Sequence, residues 1–242
     1  MNDTGKMDSA EVALSKLEAG QVLDVATGNG GFITFLLDNI KSFTEITGID
    51  LNERPLDAAR KVFLQGNIRL LRMDANQMEF MDGVFDTVCI ANSLHHLENP
   101  DQVLAEMWRV CKTDGTLLIC EMYRDGQTKT QQTHVDLHHW WAAVDRADGI
   151  HHLETYTRQE ILDITQKLGL KAMEYFDMKD LEADPKEPEL VKDLDGIIDR
   201  YLQRAQGSSG EAQLIERGEE LRRRVHATGF HGATSLLVIG RK

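Results

Sequence analysis

The chain has 242 residues, with 27 Lys and Arg against 40 Asp and Glu and a formal net charge of −13. That length suits one α/β core with elaborations, and that charge repels a polyanionic backbone, so nucleic acid is excluded as a first choice of partner. Cys89, Cys111 and Cys120 show no CxxC spacing and read as reduced core thiols, residues 1–16 hold no apolar leader segment, and no run approaches the roughly 20 residues that span a bilayer. The expectation is a cytoplasmic chain without membrane insertion.

In chain order, residues 22–26 (Val-Leu-Asp-Val-Ala) predict a buried strand, 31–39 a helix and 45–49 a second strand, which is the rhythm of a βαβ unit. Residues 53–63 predict a helix with Asn52 as N-cap, followed by strands at 68–72 and 85–91. Val103, Leu104, Met107 and Val110 recur at helical spacing across 100–110, and residues 115–121 form a continuous apolar strand. Five parallel strands in this order make a doubly wound sheet. Residues 157–168 predict an amphipathic helix, 171–178 a strand and 235–240 a closing strand, bringing the count to seven. Two further helices, 189–205 and 211–227, are joined by Gly207-Ser208-Ser209-Gly210, which reads as a flexible joint. Arg222, Arg223 and Arg224 follow two glutamates and read as a solvated helix face.

The loop after the first strand carries the most chemical information. Asp24-Val25-Ala26-Thr27-Gly28-Asn29-Gly30-Gly31 leaves a strand and opens a helix, so its glycines allow positive φ and bring backbone N–H groups close to a ligand. By itself such a loop fits several cofactors, or a structural turn. Asp50 ends the second strand about 20 residues later, where a carboxylate accepts both hydroxyls of a ribose. Ile33 stands where a dinucleotide-binding GxGxxG would place a small residue, and the acid Asp24 favours a ligand bearing an ammonium group over a phosphate.

This segment resembles motif I of the class I S-adenosylmethionine-dependent methyltransferases, with Ala26 in place of the first glycine, as in the ubiquinone and menaquinone methyltransferase group of type 11. Further matches follow in order: Asp50-Leu51 as the ribose acid and its neighbour, Asp74-Ala75 as the adenine-edge pair, and Asn92-Ser93-Leu94-His95-His96-Leu97 after the fourth strand. Thr113-Asp114-Gly115 stands where the family places Pro-Gly-Gly. The resemblance implies a Rossmann-like α/β fold of seven strands with an antiparallel final strand, S-adenosyl-L-methionine as cofactor, and Asp24, Ala26, Thr27, Gly28, Asn29, Gly30, Asp50, Leu51, Asp74, Ala75, Asn92 and Ser93 around it. It covers residues 21–121 densely and leaves 123–154 and 185–231 uncovered. These read as helical insertions on a single domain of residues 1–242, the first as a lid over the acceptor.

Methyl transfer from a sulfonium expels a neutral thioether, so the enzyme's main task is to hold an acceptor in line. His95, His134 and His138 are candidates for a base or orienting group, and His96, Tyr123, Trp140 and Trp141 for the substrate pocket. The acceptor is expected to be a small molecule, and a homodimer is compatible with the apolar helix faces around Leu194, Ile198 and Leu214. His134 and His138 share a helix face, with His139, Asp136, His151 and His152 nearby, but HExxH is absent and no cysteine joins them, so no metal is expected. Two other readings stay open at this point: a cofactor-binding regulator or assembly protein, and a nicotinamide-dependent oxidoreductase.

Overall fold

A computed structural model describes residues 9–64 and 66–242. The sheet is built from β1 (Gln21–Val25), β2 (Glu45–Asp50), β3 (Ile68–Arg72), β4 (Phe85–Ala91), β5 (Cys111–Met122), β6 (Lys171–Met178) and β7 (Ser235–Arg241), in the order β3-β2-β1-β4-β5-β7-β6. β1 pairs in parallel with β2 and β4, β2 with β3, and β4 with β5, while β7 runs antiparallel to both β5 and β6. The helices are α1 (Ala10–Leu14), α2 (Gly31–Asn39), α3 (Glu53–Val62), α4 (Pro100–Val110), α5 (Lys129–Ala147), α6 (Arg158–Lys167), α7 (Pro188–Ala205) and α8 (Glu211–Thr228). This is the fold class expected from the sequence.

The period of two in a strand sorts its side chains between two cores. Leu23 and Val25 of β1, Leu117 and Ile119 of β5, and Leu236 and Val238 of β7 face one core together with Met107 of α4 and Ile161 of α6. Their neighbours Val22, Leu118, Cys120 and Leu237 face the other, against Leu14 of α1, Ile33 and Leu36 of α2, and Ala59 of α3. All three cysteines are buried free thiols.

Four local features depart from the sequence-based expectation. Residues 1–8 of the N-terminal reading lie outside the described residues, but α1 follows at once, capped by the Ser9 side chain accepting from Val12 N. Asn52 occupies the N-cap position of α3, yet its side chain makes no capping bond, because the turn is held by Asn52 N donating to Asp50. β5 begins at Cys111, whose pairing with Phe85 shifts register across the turn where Asp114 takes φ +61°. A single 3-10 turn, Leu94–His96, separates β4 from α4.

The two stretches read as separate insertions pack as one unit. α5, started by a capping box between Thr128 and Gln131, lays Leu137, Trp140 and Val144 against Leu194 and Ile198 of α7 and Leu221 and Val225 of α8. The Trp140 indole N–H donates to Leu214 O (2.8 Å), and Arg224 and Arg217 of α8 pair with Asp136 of α5. Trp140 and Trp141 pack in a helical core with Tyr201. Gly218 lies at the crossing, where an added Cβ would meet Trp140 Cζ2 at 2.4 Å and Leu202 Cδ2 at 2.7 Å. In a free helix Gly→Ala gains up to about 1 kcal/mol. Against a rigid buried indole the overpacking term of about 1–3 kcal/mol dominates, so Gly218→Ala is expected to lower stability. Denaturant unfolding reads the sign, and a stabilised variant would refute this packing.

Candidate functional site

The strand order turns around between β1 and β4, and the crevice beyond their carboxyl ends is where open α/β sheets bind ligands. Both strand ends bend sharply there: Ala26 takes φ +56° and Asn92 φ +47°. Two cavities of about 450 and 430 Å³ meet at this point and share Ala26, Gly28, Asn92 and Ser93. The first extends past Asp50, Leu51, Asp74 and Ala75. The second runs past Asp24, Thr27 and Asn29 to Phe32, Phe35, Met178 and Ser235.

Eleven of the twelve residues expected around a cofactor thus line one trough. Gly30 is the exception. It caps α2 at φ +85°, where an added Cβ would meet Phe63 Cε2 at 2.2 Å, so its role is to turn the chain under the trough. Ile49, Asn52, Met73, Asn76, Leu97, Ile150 and His151 also line the first cavity, and the sequence did not assign them to it.

Backbone donors aim the acidic groups. Asp50 Oδ2 accepts from Gly28 N (2.9 Å) and Oδ1 from Asn52 N (2.8 Å), leaving a further lone pair on each oxygen for a ligand. Asp74 Oδ1 accepts from Asn76 N and Nδ2, both at 2.8 Å. Asp24 is almost wholly buried, accepts from the Thr27 hydroxyl, and lies 3.4 Å from Cys89 Sγ. Burial pushes its carboxyl up to about 6, against the opposing pull of the Thr27 and Cys89 hydrogen bonds.

The turn after β4 is organised by a residue the sequence analysis passed over. Glu121, at the end of β5, is fully buried, and one of its oxygens accepts from Ser93 N and Leu94 N. Its other oxygen lies 2.9 Å from His95 Nδ1. An acid set within the apolar run of residues 117–122 was the available signal.

Of the candidate histidines, His96 alone lies on the cavity wall. His95 is fully buried and turned to Glu121. His134 accepts from Ala233 N (2.8 Å), which makes it a tie between α5 and the approach to β7; burial lowers it to about 4. Tyr123 is buried and its hydroxyl donates to Asp177 Oδ1 (3.2 Å). The helix-face pairing of His134 with His138 gives way to a different group: His138 joins His95, His96 and His152, whose ring centroids lie 4.0 to 6.1 Å apart. Burial, reinforced by the neighbouring imidazoles, lowers His96 to about 3 and His138 further still.

Asp24 gives a test of the site's electrostatics. Its folded-state value of about 6 stands above the ordinary aspartate value of 3.8, so the folded chain holds this proton more tightly than the unfolded chain does. The associated stability is present below pH 3.8 and is lost as pH rises through 6, a difference of about 3 kcal/mol. Asp24→Asn is therefore expected to stabilise the protein by up to about 3 kcal/mol at pH 7.5 and by little at pH 3.5. Urea unfolding at both pH values checks this, and an equal effect at the two would contradict the buried carboxylate.

Comparison with known proteins places this geometry. Residues 23–119 match the family model described as a methyltransferase domain. A demethylmenaquinone methyltransferase of Bacteroides fragilis is 33% identical over 106 residues, covering 42% of this chain and 43% of that protein, so the chain spans under half the length of this relative. A malonyl-[acyl-carrier protein] O-methyltransferase of Geobacter sulfurreducens is 27% identical over 229 residues, covering 91% and 80%. A phosphoethanolamine N-methyltransferase 2 of Haemonchus contortus, solved with phosphomonomethylethanolamine and S-adenosylhomocysteine, superposes with a TM-score of 0.56 at 18% identity over 95% of this chain and 50% of that one, which shows a shared fold. No helix among the described residues is long and apolar enough to cross a membrane. Residues 23–119 thus match the methyltransferase-domain family model, in a chain whose seven-stranded sheet with an antiparallel β7 has the class I methyltransferase fold.

Proposed function

We propose that the trough binds S-adenosylmethionine and that the chain transfers its methyl group to a small-molecule acceptor. The observation that carries this reading is the Asp50 carboxylate, held by Gly28 N and Asn52 N on the wall of a cavity that Asp74 and Ala75 also line. A ribose would take the free lone pairs of Asp50, and an adenine would lie between Leu51 and the Asp74-Ala75 edge. The methionine part would follow the second cavity, where Asp24 and the turn at Thr27 and Gly28 meet an ammonium group. An ammonium there would favour the ionised form of Asp24 and offset its desolvation.

The chemistry asked of the protein is modest. A neutral thioether leaves as the acceptor attacks the methyl carbon from the opposite side, so orientation and exclusion of water do most of the work. His96, on the wall of the first cavity, is held neutral at physiological pH and is suited to orient an acceptor. Ile150 and His151 bring the end of the 123–154 insertion over the same cavity, and we assign that end the role of cover. Phe32, Phe35 and Met178 give the second cavity an apolar end, which favours an acceptor with an apolar portion. The relatives named for demethylmenaquinone and for malonyl-[acyl-carrier protein] both support methyl transfer and differ in the acceptor.

Calorimetric titration with S-adenosylmethionine, S-adenosylhomocysteine and NAD in parallel tests the cofactor. Micromolar binding of the first two and none of NAD is the expected result. Silence towards both would overturn the reading, and binding of NAD alone would replace it with an oxidoreductase. Asp50→Ala is expected to weaken S-adenosylhomocysteine by about 1–3 kcal/mol, roughly 5- to 150-fold, as hydrogen bonds to a charged group are lost. Unchanged affinity would remove Asp50 from the ribose site.

A further inference from the structure

The four-histidine group lies beside the trough but is not explained by it. His95 and His96 come from the 3-10 turn after β4, His138 from the middle of α5, and His152 from the loop that follows α5. One ring nitrogen from each lies within 4.8 Å of the others. Three of these rings carry a buried nitrogen with no hydrogen-bond partner: His95 Nε2, His138 Nδ1 and His152 Nε2. Buried polar atoms are nearly always satisfied, so three orphans within one group of touching rings call for a partner.

We propose that His95, His96, His138 and His152 bind one divalent first-row transition-metal ion of the zinc class through four imidazole nitrogens. The donor set selects the ion: imidazole suits zinc, copper, nickel and iron, whereas calcium and magnesium require oxygen ligands. The two acids nearest the group face the opposite side of the rings, where a metal site would use them. Glu121 Oε2 lies 2.9 Å from His95 Nδ1, and Asp145 Oδ2 lies 2.6 Å from His152 Nδ1. A carboxylate on the far nitrogen fixes the tautomer and directs Nε2 to the metal, and here two of the four ligands carry that arrangement. Asp145 is itself anchored by Arg204 of α7 at 2.7 Å. In a tetrahedral site with bonds of about 2.0–2.1 Å, ligand nitrogens stand about 3.4 Å apart. The group's outer limit of 4.8 Å therefore requires a contraction of about 1.4 Å on binding.

Such an ion would tie the turn after β4 to α5 and to the loop bearing His151. It would sit directly behind His96 on the cavity wall. Sequence reasoning missed the group because its members are 42 positions apart or more across the two halves, from His96 to His138, and follow no metal-binding spacing.

The test uses the full chain, stripped with chelator and then titrated with Zn2+ alone and, separately, with Co2+ alone as a spectroscopic probe. One equivalent bound at micromolar or tighter affinity is expected, with visible ligand-field absorption from Co2+ and a raised Tm with Zn2+. The double variant His138→Ala, His152→Ala is expected to abolish binding, and Asp145→Asn to weaken it 10- to 100-fold. His226→Ala, whose imidazole pairs with Asp195 on the surface of the helical unit, is expected to leave binding unchanged. A folded chain that binds neither ion would overturn the proposal and mean that the group encloses water. Binding that survives in the double variant would overturn it as well. S-adenosylhomocysteine titrated into the same stripped and loaded samples keeps this proposal separate from the cofactor reading, since either can fail while the other stands.

Discussion

The buried carboxylate of Glu121 is the interaction on which the site depends. It stands at the end of β5 and takes two backbone N–H groups and one imidazole from the turn after β4. A hydrogen bond to a charged group is worth about 1.5–3 kcal/mol net, and each donor left unpaired in this interior would lose comparable free energy. The turn therefore has one stable shape. That shape sets Asn92 at positive φ, places Ser93 where the two cavities meet, turns His95 inward and leaves His96 on the wall. A single acid thus couples the cofactor side of the trough to the histidine group.

Desolvation shapes the other half of the trough. Asp24 is almost wholly buried and its carboxyl is raised to about 6, whereas Asp50 keeps two backbone donors and an open face on the cavity. A carboxylate held in a buried position with incomplete compensation is destabilising until a cation arrives. The two acids accordingly differ in what they favour: Asp50 presents organised acceptors to hydroxyl groups, and Asp24 presents a charge whose burial a cationic ligand would offset. The ends of β1 and β4 belong to the same pattern, because Ala26 and Asn92 hold conformations that L residues rarely adopt at the point where the two cavities meet.

The sheet was legible in the sequence, and so was the set of residues that meets at its crevice, because both are local. Each buried strand is a short apolar run, and the acids that line the trough lie at strand ends, so the chain order of the strands places them side by side. What the sequence did not show is where a residue's surroundings depend on a partner distant in sequence. Trp140 reads as a pocket wall until α8 is seen to accept its N–H at Leu214. His134 and His138 share a helix spacing, yet one turns to Ala233 and the other to His95 and His152. Gly30 matches a cofactor motif, but its lack of a side chain serves the packing of Phe63. Periodicity reports which face of an element is buried, not which residue buries it.

That division also explains why the acceptor is harder to read than the cofactor. The residues proposed for the cofactor come from β1, β2, β3, β4 and the turns that follow them, a scaffold whose geometry follows from strand pairing. The helices α5, α7 and α8 meet through Leu137, Trp140, Leu194 and Leu221, and α5 reaches the segment before β7 through Gln131 to Thr234 and His134 to Ala233. Helices set on a sheet of fixed pairing can vary while the strand ends keep their geometry, and relatives are named for acceptors as unlike as a demethylmenaquinone and a malonyl-[acyl-carrier protein].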